Sequence, residues 1–295
     1  MYAEFYGLTR PPFEMTPDPT FLFLGEAHRE GLATLVYGVQ ARKGFVLLTG
    51  EVGTGKTTLL HALLGQLEPN TASAFIFNPR VDPLDFFRLL FDEFGIERAC
   101  STKAEYLLAL NRFLIERLEK DETALLIVDE AQNLSPEMLE EVRLLSNLET
   151  PSSKLLQIML VGQPELAAML EAPALRQLRQ RIVLRHHLEP FDEREMEAYI
   201  EERLRLAGYT GKGIFGRAAR REIFEVTGGV PRLLNIVCDS AMLAGYASGQ
   251  PVIDAAAIRE VARDLGLGRS RRVAPPGPQT PAPRRGLRRW LGRRG

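Results

Sequence analysis

From Gly50 to Thr57 the chain reads Gly-Glu-Val-Gly-Thr-Gly-Lys-Thr, a spacing suited to holding the phosphates of a nucleotide. Gly50, Gly53 and Gly55, with the intervening Glu51, Val52 and Thr54, form a loop whose successive main-chain N–H groups turn inward on phosphate oxygens. Lys56 is expected to reach the β and γ phosphates, Thr57 to ligate Mg2+ through its hydroxyl, and Thr58 to lie nearer the α phosphate. Such a loop needs a carboxylate at the end of a neighbouring buried strand to hold the metal's water shell, and LLIVDE supplies Asp129. Glu130, the next residue, is positioned to orient an attacking water or take its proton. Gln163, after LLQIMLVG, is a candidate sensor of the γ phosphate, with a helix cap or loop hydrogen bond as its alternative reading. Arg176, Arg179 and Arg181 precede the last strand, either solvated or presenting an arginine finger to a neighbouring subunit's nucleotide. Arg232, in GGVPRLLN, opens a helix that could fold over the loop and reach the γ phosphate.

These residues need strands to hold them in line. Strand-length apolar runs occur at 45–49, 73–78, 124–129, 155–162 and 182–187, most of them separated by helical patterns. Near-continuous apolar strands are buried on both sides, which predicts an α/β fold, a parallel sheet with helices on both faces. Glu26 to Lys43 reads as an amphipathic helix, and SPEMLEEVRLLSNLE as a helix with a serine cap and proline at its first position. After Pro190 four helical patterns follow without strands, which predicts a small all-helical domain over 191–267 behind a nucleotide-binding domain over 1–190. The first 25 residues, rich in proline and aromatics, read as an ordered extended leader of the first domain. Residues 268–295 read as a disordered Pro/Arg-rich tail.

A chain of 295 residues that is 45% hydrophobic can bury one large or two ordinary cores. Cys100 and Cys238 stand far apart, which offers neither a disulfide framework nor a zinc site and fits a reducing compartment. No apolar run reaches the roughly 18 residues that a membrane span needs, and no signal peptide is legible. The net charge of −1 conceals an asymmetry: residues 268–295 carry nine arginines and no acid, leaving 28 of the 37 basic residues to face 38 acids. The acidic body argues against a broadly basic nucleic-acid-binding core.

With FYGL, PFEMTPDP, RKGFVLLTGEVGTGKTT, IVDEAQNLSPEMLEEVRLLSNLET, LQIMLVGQPEL and GGVPRLLN in order, the chain resembles the AAA+ ATPases of the general secretion pathway A (ExeA) type from residue 1 to about 266. The resemblance implies a homo-oligomeric, cytoplasmic, ATP- and Mg2+-dependent ATPase with a helical lid. It further implies a role at the inner membrane in assembling secretion, pilus or exopolysaccharide export machinery. Lys56 and Thr57 would serve phosphate and metal, Asp129 and Glu130 metal and water, Gln163 as first sensor and Arg232 as second. Arg181 would be the finger, with Arg179 second choice, and the leader around Phe13 to Pro19 would border the adenine. Longer members continue into a transmembrane helix and a peptidoglycan-binding domain, so wall binding is not expected here. In RRGLRRWLGRRG, Leu287, Trp290 and Leu291 share a helical face among arginines, a peripheral anchor for an anionic membrane or else a solvated or nucleic-acid-binding arm. Two other readings remain: a DNA-binding transposition helper, and a nucleotide switch with negligible turnover. A helicase would need a second sheet domain, which the helical segment cannot form.

Overall fold

A computed structural model of the chain describes residues 1–15, 21–68, 70–77, 81–151 and 153–268. The apolar runs become five strands, β1 (Phe45–Gly50), β2 (Thr71–Ile76), β3 (Thr123–Val128), β4 (Leu156–Gly162) and β5 (Ile182–Leu188). They pair in parallel in the order β2-β3-β4-β1-β5. After β1 the chain crosses to the far edge, returns through β3 and β4 to β1's side, and then adds β5 on β1's other side. Such a reversal of strand order opens a crevice at the carboxyl ends of the strands, the usual ligand site of open parallel sheets.

Side-chain alternation distributes the apolar residues over two faces. On one, Leu35 and Val39 of α2 (Glu26–Gln40) and Leu59, Leu60 and Leu63 of α3 (Lys56–Gln66) pack on Val46, Leu48, Ile127, Met159 and Val161. On the other, α4 (Pro83–Phe94), α5 (Lys103–Glu119), α6 (Pro136–Leu145), α7 (Pro164–Leu170) and α8 (Arg176–Arg181) cover Leu47, Ile76, Leu126, Val128, Ile158 and Leu160. Local chemistry fixes the helix starts. Asp82 accepts from the N–H groups of Leu84 (2.8 Å) and Asp85 (3.0 Å) to begin α4, Thr102 and Glu105 form a reciprocal capping box on α5, and Ser135 caps α6 with Pro136 at its first turn.

Beyond β5, α9 (Glu193–Leu206), α10 (Arg217–Thr227), α11 (Pro231–Ala247) and α12 (Ala255–Asp264) build a separate core around Met196, Ile200, Ile223, Leu234, Val237, Ala241 and Ile258. The predicted fold class therefore stands: a parallel sheet with helices on both faces, followed by an all-helical unit. The leader departs from its expected grouping with the sheet. Its Tyr6, Leu8, Phe13 and Phe21 lie in the helical core, and α1 (Tyr2–Phe5) docks on α11, where the Tyr2 hydroxyl bonds the Asp239 carboxylate. The sheet's faces are already covered by α2 to α8, whereas α9 and α11 leave apolar surface that these aromatic side chains complete. Among the described residues no helix is long and apolar enough to cross a membrane. The basic tail from residue 269, and residues 16–19 of the leader stretch Phe13 to Pro19 expected near the adenine, lie outside the described residues.

Candidate functional site

The phosphate-binding loop (P-loop) joins β1 to α3. Gly53 (φ 82°) and Gly55 (φ 100°) adopt the left-handed backbone that glycine tolerates, and a Cβ on Gly53 would stand 2.7 Å from that of Arg232. α3 starts at Gly55 with no side-chain cap, so its first N–H groups are available to an anion at the positive end of the helix dipole. Lys56, 7% exposed, folds its ammonium back onto the carbonyls of Gly50 (2.8 Å) and Glu51 (2.9 Å). Burial holds its pKa below the ordinary value, although Glu130 and Asp129 pull it back up. Thr54 is buried and donates its hydroxyl to the Glu51 carbonyl at 2.9 Å, while Glu51, Val52, Thr57 and Thr58 are exposed.

The carboxyl end of β3 brings Asp129 to the start of α3, where the Thr57 hydroxyl donates to its Oδ2 at 3.3 Å. Asp129 is 3% exposed, and burial pushes its carboxyl pKa up against the opposing effects of the Glu130 N–H and Thr57. Glu130 has φ 52°, an unusual conformation for a residue with a side chain and a mark of local strain. Its carboxylate Oε2 accepts from two amides, Gln163 Nε2 at 3.2 Å and Gln132 Nε2. Gln132 Oε1 in turn accepts from the Gln163 N–H at 3.1 Å, over Gly162, where a Cβ would stand 2.6 Å from that oxygen. Gln163 occupies the N-cap position of α7 without capping it through its side chain, so the helix-cap half of its alternative reading is not what the side chain does; the side chain bonds the loop residue Glu130 instead. The sequence reading missed Gln132. It stands in the Asp-Glu-Ala-Gln string that follows β3, which carries part of the family resemblance but assigns Gln132 no role of its own.

The helical unit touches the loop directly. The Arg232 N–H, in the first turn of α11, donates to the Gly53 carbonyl at 3.2 Å, and its exposed guanidinium makes no ion pair among the described residues. The arginine cluster stands apart from these groups. Arg181 bonds the Ser146 hydroxyl and, at 2.7 Å, Asn147 Oδ1 at the end of α6; Arg179 pairs with Glu171; Arg176 is exposed with no ion pair among the described residues. Lys56, Thr57, Asp129, Glu130 and Gln163 are thus gathered at the carboxyl ends of β1, β3 and β4, with the Arg232 main chain bonded to the loop at Gly53. The donor set fits a magnesium nucleotide: a hydroxyl and a carboxylate 3.3 Å apart are hard oxygen ligands, beside uncapped amides and a lysine for the phosphates.

A family model described as an AAA domain matches residues 39–170, the stretch from the end of α2 to α7. General secretion pathway protein A of Aeromonas hydrophila is 46% identical over 250 residues, which cover 84% of this chain and 46% of that protein. The chain thus spans about half the length of this relative. Among solved structures, the Aeropyrum pernix ORC2 protein in ADPNP–ADP complexes superposes with a TM-score of 0.63 at 17% identity, covering 87% of this chain and 72% of that one. Cdc6p of Pyrobaculum aerophilum gives 0.66 at 19% identity, covering 86% and 73%. At such identities the likeness is one of fold.

Proposed function

Because the chain belongs to the AAA+ family, in the branch of general secretion pathway protein A, we propose that it binds ATP with Mg2+, hydrolyses it as a homo-oligomer, and uses the cycle to assist assembly of a cell-envelope secretion, pilus or exopolysaccharide export machine. One observation carries the hydrolytic part: Glu130 is held by the sensor amide of Gln163 beside the Thr57–Asp129 pair, so a base and a metal site would share the carboxyl end of the sheet. A site built only to bind would need the loop and the metal ligands, not a second carboxylate fixed by two amides.

In this reading Lys56 leaves the Gly50 and Glu51 carbonyls for the β and γ phosphates, a favourable exchange because an anion replaces neutral acceptors. Thr57 and Asp129 would hold Mg2+, which would supply neutralisation of phosphate charge. Glu130 orients water and takes its proton, Gln163 reads the γ phosphate, and Arg232 approaches it from the helical lid. Arg181 is the residue proposed for the finger in trans. The protein works in the cytoplasm, with the basic tail resting on the inner membrane.

The test compares Glu130→Gln with wild type by nucleotide calorimetry and steady-state phosphate release. The variant is expected to bind ATP as wild type does and to hydrolyse it roughly a hundredfold more slowly or worse. Equal hydrolysis rates in the two proteins would refute the assigned base, and wild type that binds but shows negligible turnover would make the protein a nucleotide switch. For the machine it serves, vesicle flotation beside a salt-titrated DNA shift decides. Binding to anionic vesicles that fails in Trp290→Ala supports the envelope role, and steeply salt-dependent duplex binding without lipid binding supports the transposition helper.

A further inference from the structure

His28, in the first turn of α2, is 3% exposed and lies against the P-loop, its Nε2 2.9 Å from the Thr54 carbonyl oxygen. A carbonyl only accepts, so Nε2 carries the proton and the neutral ring keeps a bare lone pair on Nδ1. Burial, which holds this imidazole's pKa below its ordinary value, favours that neutral form. The Nδ1 is buried with no hydrogen-bond partner among the described residues. An orphaned buried acceptor weakens a fold, so packing alone does not account for histidine here.

The geometry of the peptide explains what the ring holds. In a trans peptide the C=O and the following N–H point in opposite directions, and the described chain has no cis bonds. Fixing the Thr54 carbonyl toward α2 therefore aims the Gly55 N–H away from it, on the side open to phosphate. Gly55 is the uncapped N-cap of α3, and even a Cβ there would lie 3.1 Å from His28 Nε2. The neighbouring carbonyl, that of Gly53, is held from the other side by the Arg232 N–H of α11 at 3.2 Å. The two grips are joined through Phe191. Its ring packs 5.0 Å from that of His28, and its N–H donates to the Gly229 carbonyl, at the turn into α11, at 3.0 Å.

We propose that His28 is a positioning residue for the nucleotide, fixing the Thr54–Gly55 peptide through its Nε2–H and linking that peptide, through Phe191, to the helical lid. The proposal rests on the nucleotide-binding reading above. It is tested on the full chain with ADP calorimetry and thermal melting of His28→Phe and His28→Gln. Phenylalanine keeps a ring on Phe191 but removes both the donor and the orphaned acceptor. Relief of the orphaned Nδ1 and loss of the donor to the buried Thr54 carbonyl offset each other, so it is expected to melt within about 4 °C of wild type while binding ADP about tenfold or more weakly, the scale of one lost hydrogen bond to a positioned group. Glutamine, which restores an amide donor, recovers part of the affinity. Separation of affinity from stability is the signature, because a merely structural role would lower both together.

ADP binding by His28→Phe within twofold of wild type would overturn the proposal, as would a loss of affinity that simply follows a loss of melting temperature. Should phenylalanine fail to fold, nitrogen-15 spectra of wild type decide. Of the four histidines, His28 should show the Nε2–H tautomer and the largest response to ADP, and an Nδ1–H tautomer would overturn the assignment. Wild type that does not bind ADP overturns the nucleotide reading itself, a result distinct from these.

Discussion

Asp129 and His28 are each buried at some cost to the fold, and substitution should show it. Burial pushes the Asp129 carboxyl up, so removing its charge relieves desolvation. Asp129→Asn is expected to melt at or above the wild-type temperature while Mg2+-dependent hydrolysis falls by at least about a hundredfold, read by calorimetry and phosphate release. Lower stability with hydrolysis retained would refute the metal role. For His28 the sign runs the other way. The folded chain binds the imidazole proton more weakly than the ordinary value of 6.5, because burial and His186 outweigh the Glu195 carboxylate and the Thr54 carbonyl. Below that pH the unfolded chain takes up the proton first, so stability falls on acidification, and His28→Phe should lose less of it between about pH 7.5 and 5.5. Gln132 belongs at this scale too. Gln132→Met removes one amide from Glu130 and the acceptor for the Gln163 N–H. It should lower kcat about tenfold, and its effect should not add to that of Gln163→Ala because both act on one oxygen. The loop residues, Asp129, Glu130 and Gln163 were legible because spacing and strand ends fix where they stand. Gln132 and His28 were not, since each works through a side-chain bond to a partner distant in sequence or across a turn, which no periodicity records.

Elements were legible where burial is two-sided. The cores of β1, β3 and β4 match their apolar runs, while β2 was expected at 73–78 and is Thr71–Ile76. As an edge strand it pairs only with β3, so Thr71 and Ala72 join the ladder beside Thr123 and Ala124 without needing to be apolar. The leader's partner was illegible for another reason. Its aromatics announce burial but not against what, and the answer lies about 190 residues away at Arg203. That guanidinium donates to the Pro12 carbonyl and to the Tyr199 hydroxyl (3.0 Å), with the Phe21 ring 4.5 Å beneath it. Arg203→Met takes the donor from the Pro12 carbonyl, while the Tyr199 hydroxyl keeps its bond to Asn235, and should cost about 1–3 kcal/mol in denaturant unfolding, with early protease cleavage in the first 25 residues. Unchanged stability would mean that the leader is held by its apolar side chains alone. Two stretches of chain, at Gly25 and at Phe191, therefore connect the helical unit to the sheet. Their contact is direct: the Glu26 N–H reaches the Glu195 carboxylate at 2.5 Å.

At the scale of the whole molecule the proposed reaction would need, besides Arg232 of the lid, a cation from a neighbouring subunit to stabilise charge on the transferring γ phosphoryl group. No arginine of the 176–181 helix bonds to the P-loop, Asp129, Glu130 or Gln163 among the described residues, which is what a finger acting on a neighbour requires. The three candidates differ in how tightly they are held. Arg181 is engaged by Ser146 and Asn147, Arg179 by Glu171, and Arg176 by no ion pair among the described residues. Arg181 would act either by releasing the end of α6 or from its present bonds, held stiffly across a subunit interface. Mixing tests whether Arg181 acts in trans at all. Arg181→Ala subunits keep an intact P-loop and lack the finger, whereas Lys56→Ala subunits keep the finger and lack the loop's lysine. Each alone should be inactive, and random co-assembly at equal ratio should restore about a quarter of the wild-type rate per subunit, the share of interfaces with an intact half on each side. Size-exclusion chromatography checks that Arg181→Ala still assembles, since the α6 end loses its tie. The same mixture made with Arg179→Ala or Arg176→Ala transfers the role if recovery follows that residue instead, and activity retained by Arg181→Ala alone would remove Arg181 from the reaction.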